Sequence, residues 1–298
     1  MRIAVTGASG FIGSNLAARL GTSGHEVVRL SRRAPPGPGA AAWNPATGRI
    51  DTNALGTLDA MVHLAGAGIA DRRWSEARKR AIRDSRAGAT AALCRSLAAL
   101  PEPPRTLVCA SAVGFYGDRG DEVLTEASAG GTDFLAGVCA EWEAAADPAR
   151  EAGLRVVHAR FGLVLSASGG ALARMLTPFR LGAGGRLGSG RQYMSWVDLD
   201  DAIEALLHAI ETPAVSGPMN VTGPLPVTNA EFTATLARVL RRPAVVPVPA
   251  FALRLLFGEL AGPLLIGGQR VLPRVLELSG YRFRHPTLEQ ALFHALDR

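Results

Sequence analysis

Lysine is almost missing from this chain. Of the 32 basic residues only Lys79 is a lysine, and the other 31 are arginines. The skew fits an arginine-favouring, GC-rich genome. The arginines are scattered among 26 acidic residues, so the formal net charge of +6 forms no basic tract. No helix-turn-helix, zinc-finger or basic-arm pattern is present, which argues against nucleic acid as a partner. Cysteine is scarce as well. Cys94, Cys109 and Cys139 lie far apart with no CxxC spacing, which argues against a zinc site or disulfide framework and suits a reducing cytoplasm. The chain opens directly on MRIAVTG, with no positive leader and apolar signal core ahead of it. The most hydrophobic late stretch, 251–268, carries Arg254 and Glu259 and reads as an amphipathic or buried helix, not a bilayer span. A cytoplasmic protein without a membrane partner is expected. Hydrophobic residues at 48% and charged residues at 19% exclude a disordered or fibrous chain. A length of 298 residues allows one or two domains.

What is present is an alternation. Strand-like apolar runs at 2–6, 26–30, 60–64, 106–110, 155–160 and 219–221 are separated by helical periodicity at 12–22, 75–100, 134–151 and 197–211. That order predicts an α/β fold with a doubly wound, mostly parallel sheet covered on both faces. The stretch 34–41 (APPGPGAA) reads as a surface loop, and 101–104 ends the long third helix. Residues 166–195 are glycine-rich and depart from the sheet. A helix at 228–240 and a compact tail follow. The expected division is a dinucleotide-binding domain at 1–165, to which 196–223 returns. A smaller α+β domain on the substrate side follows at 166–298, its tail module beginning near 248.

The strongest local signal is Thr6-Gly7-Ala8-Ser9-Gly10-Phe11-Ile12-Gly13, between the first strand and the first helix. Gly7 permits a tight turn, Gly10 lets the backbone approach a pyrophosphate, and Gly13 allows close helix–strand packing. The helix N-terminus then offers free N–H groups and a positive dipole end to phosphates. Dinucleotide binding is the expectation, and Ser9, Phe11 and Ile12 belong to the same loop. The second strand ends Leu30-Ser31-Arg32-Arg33 with no acid to receive a ribose 2′-hydroxyl. Guanidinium forks there suit a 2′-phosphate, so NADP(H) is expected in preference to NAD(H). The other reading of Arg32 and Arg33 is two solvated arginines at a loop start.

These residues resemble the extended short-chain dehydrogenase/reductase superfamily over nearly the whole chain. TGASGFIG resembles its cofactor loop, and DAMVHLAG at 59–66 the strand end beside the cofactor. SAVGFYG at 111–117 resembles the active-site serine segment, RFGLV at 160–164 a later strand, and WVDLDD at 196–201 a later helix start. ADRRW, DSR at 84–86, GFYGDRGDE, LTPFRLGAGGRLGSGRQ and the tail GQRVLPRVLELSGYRFRHPTLEQAL resemble one atypical branch, the epimerase family proteins, with a C-terminal module of unassigned function. The resemblance implies cofactor contacts from Leu64, Ala65, Gly66, Arg86 and Gly162. It implies substrate contacts from Arg191 or Gln192, the arginine being suited to an anionic group.

One feature of the superfamily is missing. Its Tyr-x-x-x-Lys proton shuttle has no counterpart, because Tyr116, Tyr193 and Tyr281 are followed four residues later by Gly120, Val197 and His285. Three readings stay open. An oxidoreductase or nucleotide-sugar-epimerase-like enzyme on an unknown small molecule would have Ser111 orient a carbonyl while Tyr116 or His63 supplies the proton. Water is a second proton source. The third reading is a non-catalytic NADP(H)-binding sensor or regulator. A homodimer is left open, and no metal is expected. Trp74, Ala77, Ala81, Ser85, Ala89 and Leu93 fall at helical spacing as an expected buried stripe. His63 reads as structural, Cys139 as a small buried hydrophobe, and Asp198, Asp200 and Asp201 as helix caps.

Overall fold

The structure is a computed structural model that describes residues 1–33 and 38–297. Seven parallel strands form the central sheet: β1 (Arg2–Thr6), β2 (Glu26–Ser31), β3 (Ala40–Ala42), β4 (Ala60–His63), β5 (Thr106–Ala112), β6 (Arg155–Phe161) and β7 (Gly217–Val221). Their order is β7-β6-β5-β4-β1-β2-β3. Alternation along each strand explains why both faces are covered. Ile3, Val5, Val62, Val108 and Val157 enter one core with Leu16, Leu20 and Leu206. Ala4, Met61, Leu107 and Val156 enter the opposite core with Leu93 and Leu97. A strand apolar on both faces is stable only inside such a sandwich.

The helices that matter here are α1 (Phe11–Thr22), α2 (Glu76–Arg83), α3 (Ala89–Ala98), α4 (Phe134–Ala144), α5 (Gly170–Arg180), α6 (Leu199–Glu211), α7 (Asn229–Leu240), α8 (Ala250–Phe257) and α9 (Leu288–Leu296). Helices α1 and α6 cover one face of the sheet and α3 the other. The chain runs out from β1 to the β3 edge, then resumes at β4 on the other side of β1. The switch point between β1 and β4 opens a crevice at their carboxyl ends, where ligands bind in open α/β sheets.

A third core lies outside the sheet. Leu172, Leu176 and Phe179 of α5, Phe232 and Leu236 of α7, and Leu292 of α9 close around Trp196. Parallel pairing of Trp196–Asp198 with Leu163–Leu165 ties this cluster to the end of β6. The tail is anchored by one buried carboxylate on α6. Asp201 accepts hydrogen bonds from the Tyr281 hydroxyl at 2.9 Å and from the N–H groups of Arg284 and His285 at 2.8 and 3.0 Å.

Several expectations need correction. The expected 34–41 loop ends in an edge strand, because Ala40–Ala42 pairs with β2; positions 34–37 lie outside the described residues. The long third helix is not regular. A π-turn, Asp84–Gly88, joins α2 to α3. One surplus residue there changes the helix phase, so Ala77 and Ala81 are exposed and Ile82 is the buried contact. The helix expected over 134–151 breaks after Ala144 and restarts at Asp147–Glu151 with Pro148 in its first turn. Residues 196–198 are strand, and α6 starts after them, capped by Asp198, which accepts the Asp200 N–H at 2.8 Å. Asp201 is not a cap but the tail anchor. The 251–268 stretch contains α8, whose Phe251, Leu255 and Leu256 are exposed, so it is amphipathic and not buried.

Candidate functional site

The glycine turn forms one end of the crevice. Gly7 has φ of 68°, a left-handed conformation that disfavours a side chain. A Cβ on Gly13 would lie 2.2 Å from the Gly7 carbonyl oxygen, so only glycine lets α1 start this close to the turn. Gly10 caps α1 without any side-chain partner. The first amides of the helix are therefore left for a ligand, an arrangement suited to phosphate. A cavity of about 340 Å³ extends from Gly7, Gly10, Phe11, Ile12 and Gly13 past Leu64, Gly66 and Arg86 to Ser111 and Cys139.

The other expected cofactor residues are placed as follows. Ser9 is exposed on the turn, Ser31 half-buried at the end of β2, and Arg32 and Arg33 exposed just beyond it. Ala65 packs beside the second sheet core. Gly162 lies farther along, where a Cβ would meet the Ser195 carbonyl oxygen at 2.3 Å; close packing accounts for that glycine. Arg86 projects from the π-turn. Its Nη1 donates to the Ala67 carbonyl at 3.0 Å, and its guanidinium lies 5.1 Å from the Trp142 ring centroid. Burial lowers its pKa from the ordinary arginine range.

His63 is a structural pin. Thr6 Oγ1 accepts the N–H groups of Leu64 and Ala65, so its own proton goes to His63 Nδ1 at 2.7 Å. His63 Nε2–H then donates to Thr90 Oγ1 at 3.0 Å. Burial lowers its pKa to about 4, so the ring is neutral and both nitrogens are occupied. Cys139 fits its expected inert role, since burial pushes its thiol up to about 12.

At the far end of the cavity stands an arrangement that sequence reasoning missed. Ser111 Oγ donates to Glu143 Oε1 at 2.7 Å. Arg160 grips the same carboxylate with two parallel hydrogen bonds of 2.8 Å, Nε to Oε1 and Nη2 to Oε2. Arg160 Nη1 donates to the Tyr116 hydroxyl at 2.9 Å, and that hydroxyl donates to Asn220 Oδ1 at 2.7 Å. Burial opposes the charge on Arg160, but Glu143 more than offsets it and holds the guanidinium above its ordinary range. The Tyr116 expectation fails on this geometry. Its hydroxyl is fully buried and committed on both sides, and burial raises its pKa. Tyr116 therefore props Arg160 and does not face the cleft. Because the Ser111 proton points at Glu143, the lone pairs of Oγ are left for the cavity. The signal for Glu143 was Arg160 itself, a charge near the end of a strand buried on both faces, which requires a counter-ion.

A second cavity, about 370 Å³, continues from the first and shares Ile69, Ala112, Gly114, Leu135 and Phe161 with it. Gln192 lines it, but Arg191 is exposed and absent from its lining among the described residues. The expectation of an anion held by Arg191 is therefore not met. Pro263, Leu264 and Leu265 of the tail form part of its wall.

The comparisons with known proteins agree with this architecture. Residues 3–222 match the model of the NAD dependent epimerase/dehydratase family, and residues 248–295 match a domain of unknown function, DUF1731. The chain is 49% identical over 296 residues to the epimerase family protein Mb2239 of Mycobacterium bovis, covering 99% of this chain and 98% of that one. The crystal structure of human epimerase family protein SDR39U1 (isoform2) with NADPH superposes with a TM-score of 0.91 at 37% identity, covering 100% of both chains. A nucleoside-diphosphate sugar epimerase from Corynebacterium glutamicum, also 37% identical, superposes with a TM-score of 0.82 and covers 99% of this chain and 58% of that one. Among the described residues no helix is long and apolar enough to cross a membrane. With a glycine-turn crevice at the switch point of a seven-stranded parallel sheet, and with these matches over its full length, the chain belongs to the NAD dependent epimerase/dehydratase family.

Proposed function

We propose that the protein is an NADP(H)-dependent oxidoreductase or epimerase in which Ser111 and Glu143 replace the missing tyrosine–lysine shuttle. The observation that carries this reading is the Ser111–Glu143 hydrogen bond at 2.7 Å at the end of the glycine-turn cavity. The glycine cradle, the uncapped α1 amides and Arg86 fit the diphosphate part of a dinucleotide. Arg32 and Arg33 fit a 2′-phosphate, and the human relative crystallised with NADPH supports that preference. When bound, the nicotinamide supplies a hydride to a substrate carbon or takes one from it.

The chain's own residues handle the proton. A substrate hydroxyl donates to Ser111 Oγ while the Ser111 proton moves to Glu143 Oε1, and the carbon gives up its hydride in the same step. In reduction the same protons travel the other way, from Glu143 through Ser111 to the carbonyl oxygen. Arg160 fixes which carboxylate oxygen faces Ser111, so it is a positioning residue.

The test is calorimetric titration with NADPH and NADH, followed by NADPH oxidation over a panel of carbonyl compounds. NADPH should bind more tightly, and Arg32→Glu should weaken NADPH by about tenfold more than NADH, the size of one lost charge-assisted contact. Ser111→Ala should lower kcat by about 10²-fold or more with NADPH affinity unchanged. Tight NADPH binding with no turnover on any carbonyl would instead support the non-catalytic sensor, the reading that the missing Tyr-x-x-x-Lys pair favours.

A further inference from the structure

The second cavity has the wrong lining for a phosphorylated substrate. Among the described residues around it there is no arginine, lysine or histidine, and the single carboxyl is that of Asp133. That carboxylate caps α4, accepting the Ala136 N–H at 2.9 Å, and its charge repels an anion. Three of its polar side chains are already engaged, while the Tyr193 hydroxyl and the Gln269 amide are neutral groups that carry no charge to an anion. Gln192 Nε2 donates to the carbonyls of Leu187 and Leu265 at 3.0 and 2.9 Å. Asn229 Oδ1 accepts the Leu187 N–H at 2.8 Å. Ser195 Oγ donates to the Gln269 carbonyl and accepts the Val271 N–H. Two glycine amides of the tail are spent as well, that of Gly267 on the Gly262 carbonyl and that of Gly268 on Asp118. Leu163, Met175, Met194, Leu264 and Leu265 supply much of the remaining wall.

We infer that this chamber takes an uncharged, mainly hydrocarbon carbonyl compound or the matching alcohol, and not a nucleoside-diphosphate sugar. The inference rests on the reading of the first cavity as the cofactor half. A diphosphate placed here would give up its hydration with no cation to replace it and with the Asp133 carboxylate to repel it, a cost that buried charges do not bear unpaired. A hydrocarbon chain gains from the same surface at about 25 cal/mol per Å² buried. The volume of about 370 Å³ lies at the small end of the range for small-molecule sites, about 300–1,000 Å³. The tail thereby acquires a task, because Pro263, Leu264 and Leu265 close one side of the chamber.

The experiment uses the full chain loaded with NADP⁺, which forms dead-end complexes with ketones and needs no turnover. Straight-chain 2-alkanones from five to nine carbons, UDP and UDP-glucose are titrated calorimetrically. Ketone affinity should rise about fourfold per methylene, the worth of one buried CH₂, until the chamber is filled. UDP and UDP-glucose should show no saturable binding. Met175→Lys and, independently, Leu264→Lys should lower ketone affinity by about tenfold or more with NADP⁺ affinity unchanged, which also reports that each variant is folded. Binding of UDP or UDP-glucose tighter than the longest ketone would overturn the inference. So would ketone affinity that ignores chain length, or the absence of binding from either class. Failure to bind dinucleotide would strike the cofactor reading instead, and the ketone series remains readable on the free protein.

Discussion

The two halves of the cleft are built from opposite materials. Behind Ser111 stands an ionic support: a half-buried carboxylate, a buried guanidinium and two hydroxyls form a chain of hydrogen bonds from Ser111 through Glu143, Arg160 and Tyr116 to Asn220. In the adjoining chamber Gln192, Asn229 and Ser195 are tied to the backbone, and hydrocarbon supplies much of the wall. The difference matches the proposed function, in which fixed charges would orient a reacting oxygen and move a proton while an apolar wall would select a substrate by shape. The same contrast predicts where substitutions hurt stability and where they hurt binding.

The sharpest way to break the contrast is at Arg160. Replacing it with methionine leaves Glu143 buried without its counter-ion, and breaking a buried pair from one side costs about 3–5 kcal/mol. Urea unfolding should register that loss. Arg160→Met at under about 1 kcal/mol would mean that the ionic wall is far better solvated than its 4% and 12% side-chain exposures suggest.

Next in size is a pH effect behind the glycine turn. His63 has a pKa of about 4 in the fold against 6.5 in the unfolded chain. Its contribution is complete above pH 6.5, shrinks as pH falls and levels off below about 4, where both states are protonated. The total is about 3 kcal/mol. Unfolding midpoints measured from pH 7 to 4 should fall more steeply for the native chain than for His63→Gln, and parallel slopes would remove His63 from the account.

The smallest effect belongs to the chamber. Gln192→Leu strands the Leu187 and Leu265 carbonyls and should cost about 1–2 kcal/mol. Dinucleotide affinity should not change, because Gln192 braces the wall without lining the first cavity.

Much of this was legible in the residues, and the unread parts share a cause. Strands such as Ile3–Val5 and Val156–Val157 announce themselves because apolar runs bounded by turns have few alternatives, and the glycine turn because its geometry depends on adjacent residues. Ala40–Ala42 carries no such pattern; only its pairing with β2 makes it a strand. The π-turn is invisible for the same reason, as is the break after Ala144, where the pattern runs on and the packing does not. Glu143 was the costliest omission. Its partners Ser111 and Arg160 stand 32 and 17 residues away, and only the fold brings them together. Tyr116 was misread because a tyrosine in a serine segment carries no sign of which way its hydroxyl points.

The surplus residue in the turn between α2 and α3 has its own consequence. Ile82 before it and Leu93 after it both reach the protein interior, so the shifted phase is what lets each flanking helix bury its own anchor. Deleting one position within 84–88 would restore an ordinary helical repeat and rotate one of the two anchors out of register with the interior. Arg86, which lines the crevice from this turn, would then be displaced from it by the loss of a single codon.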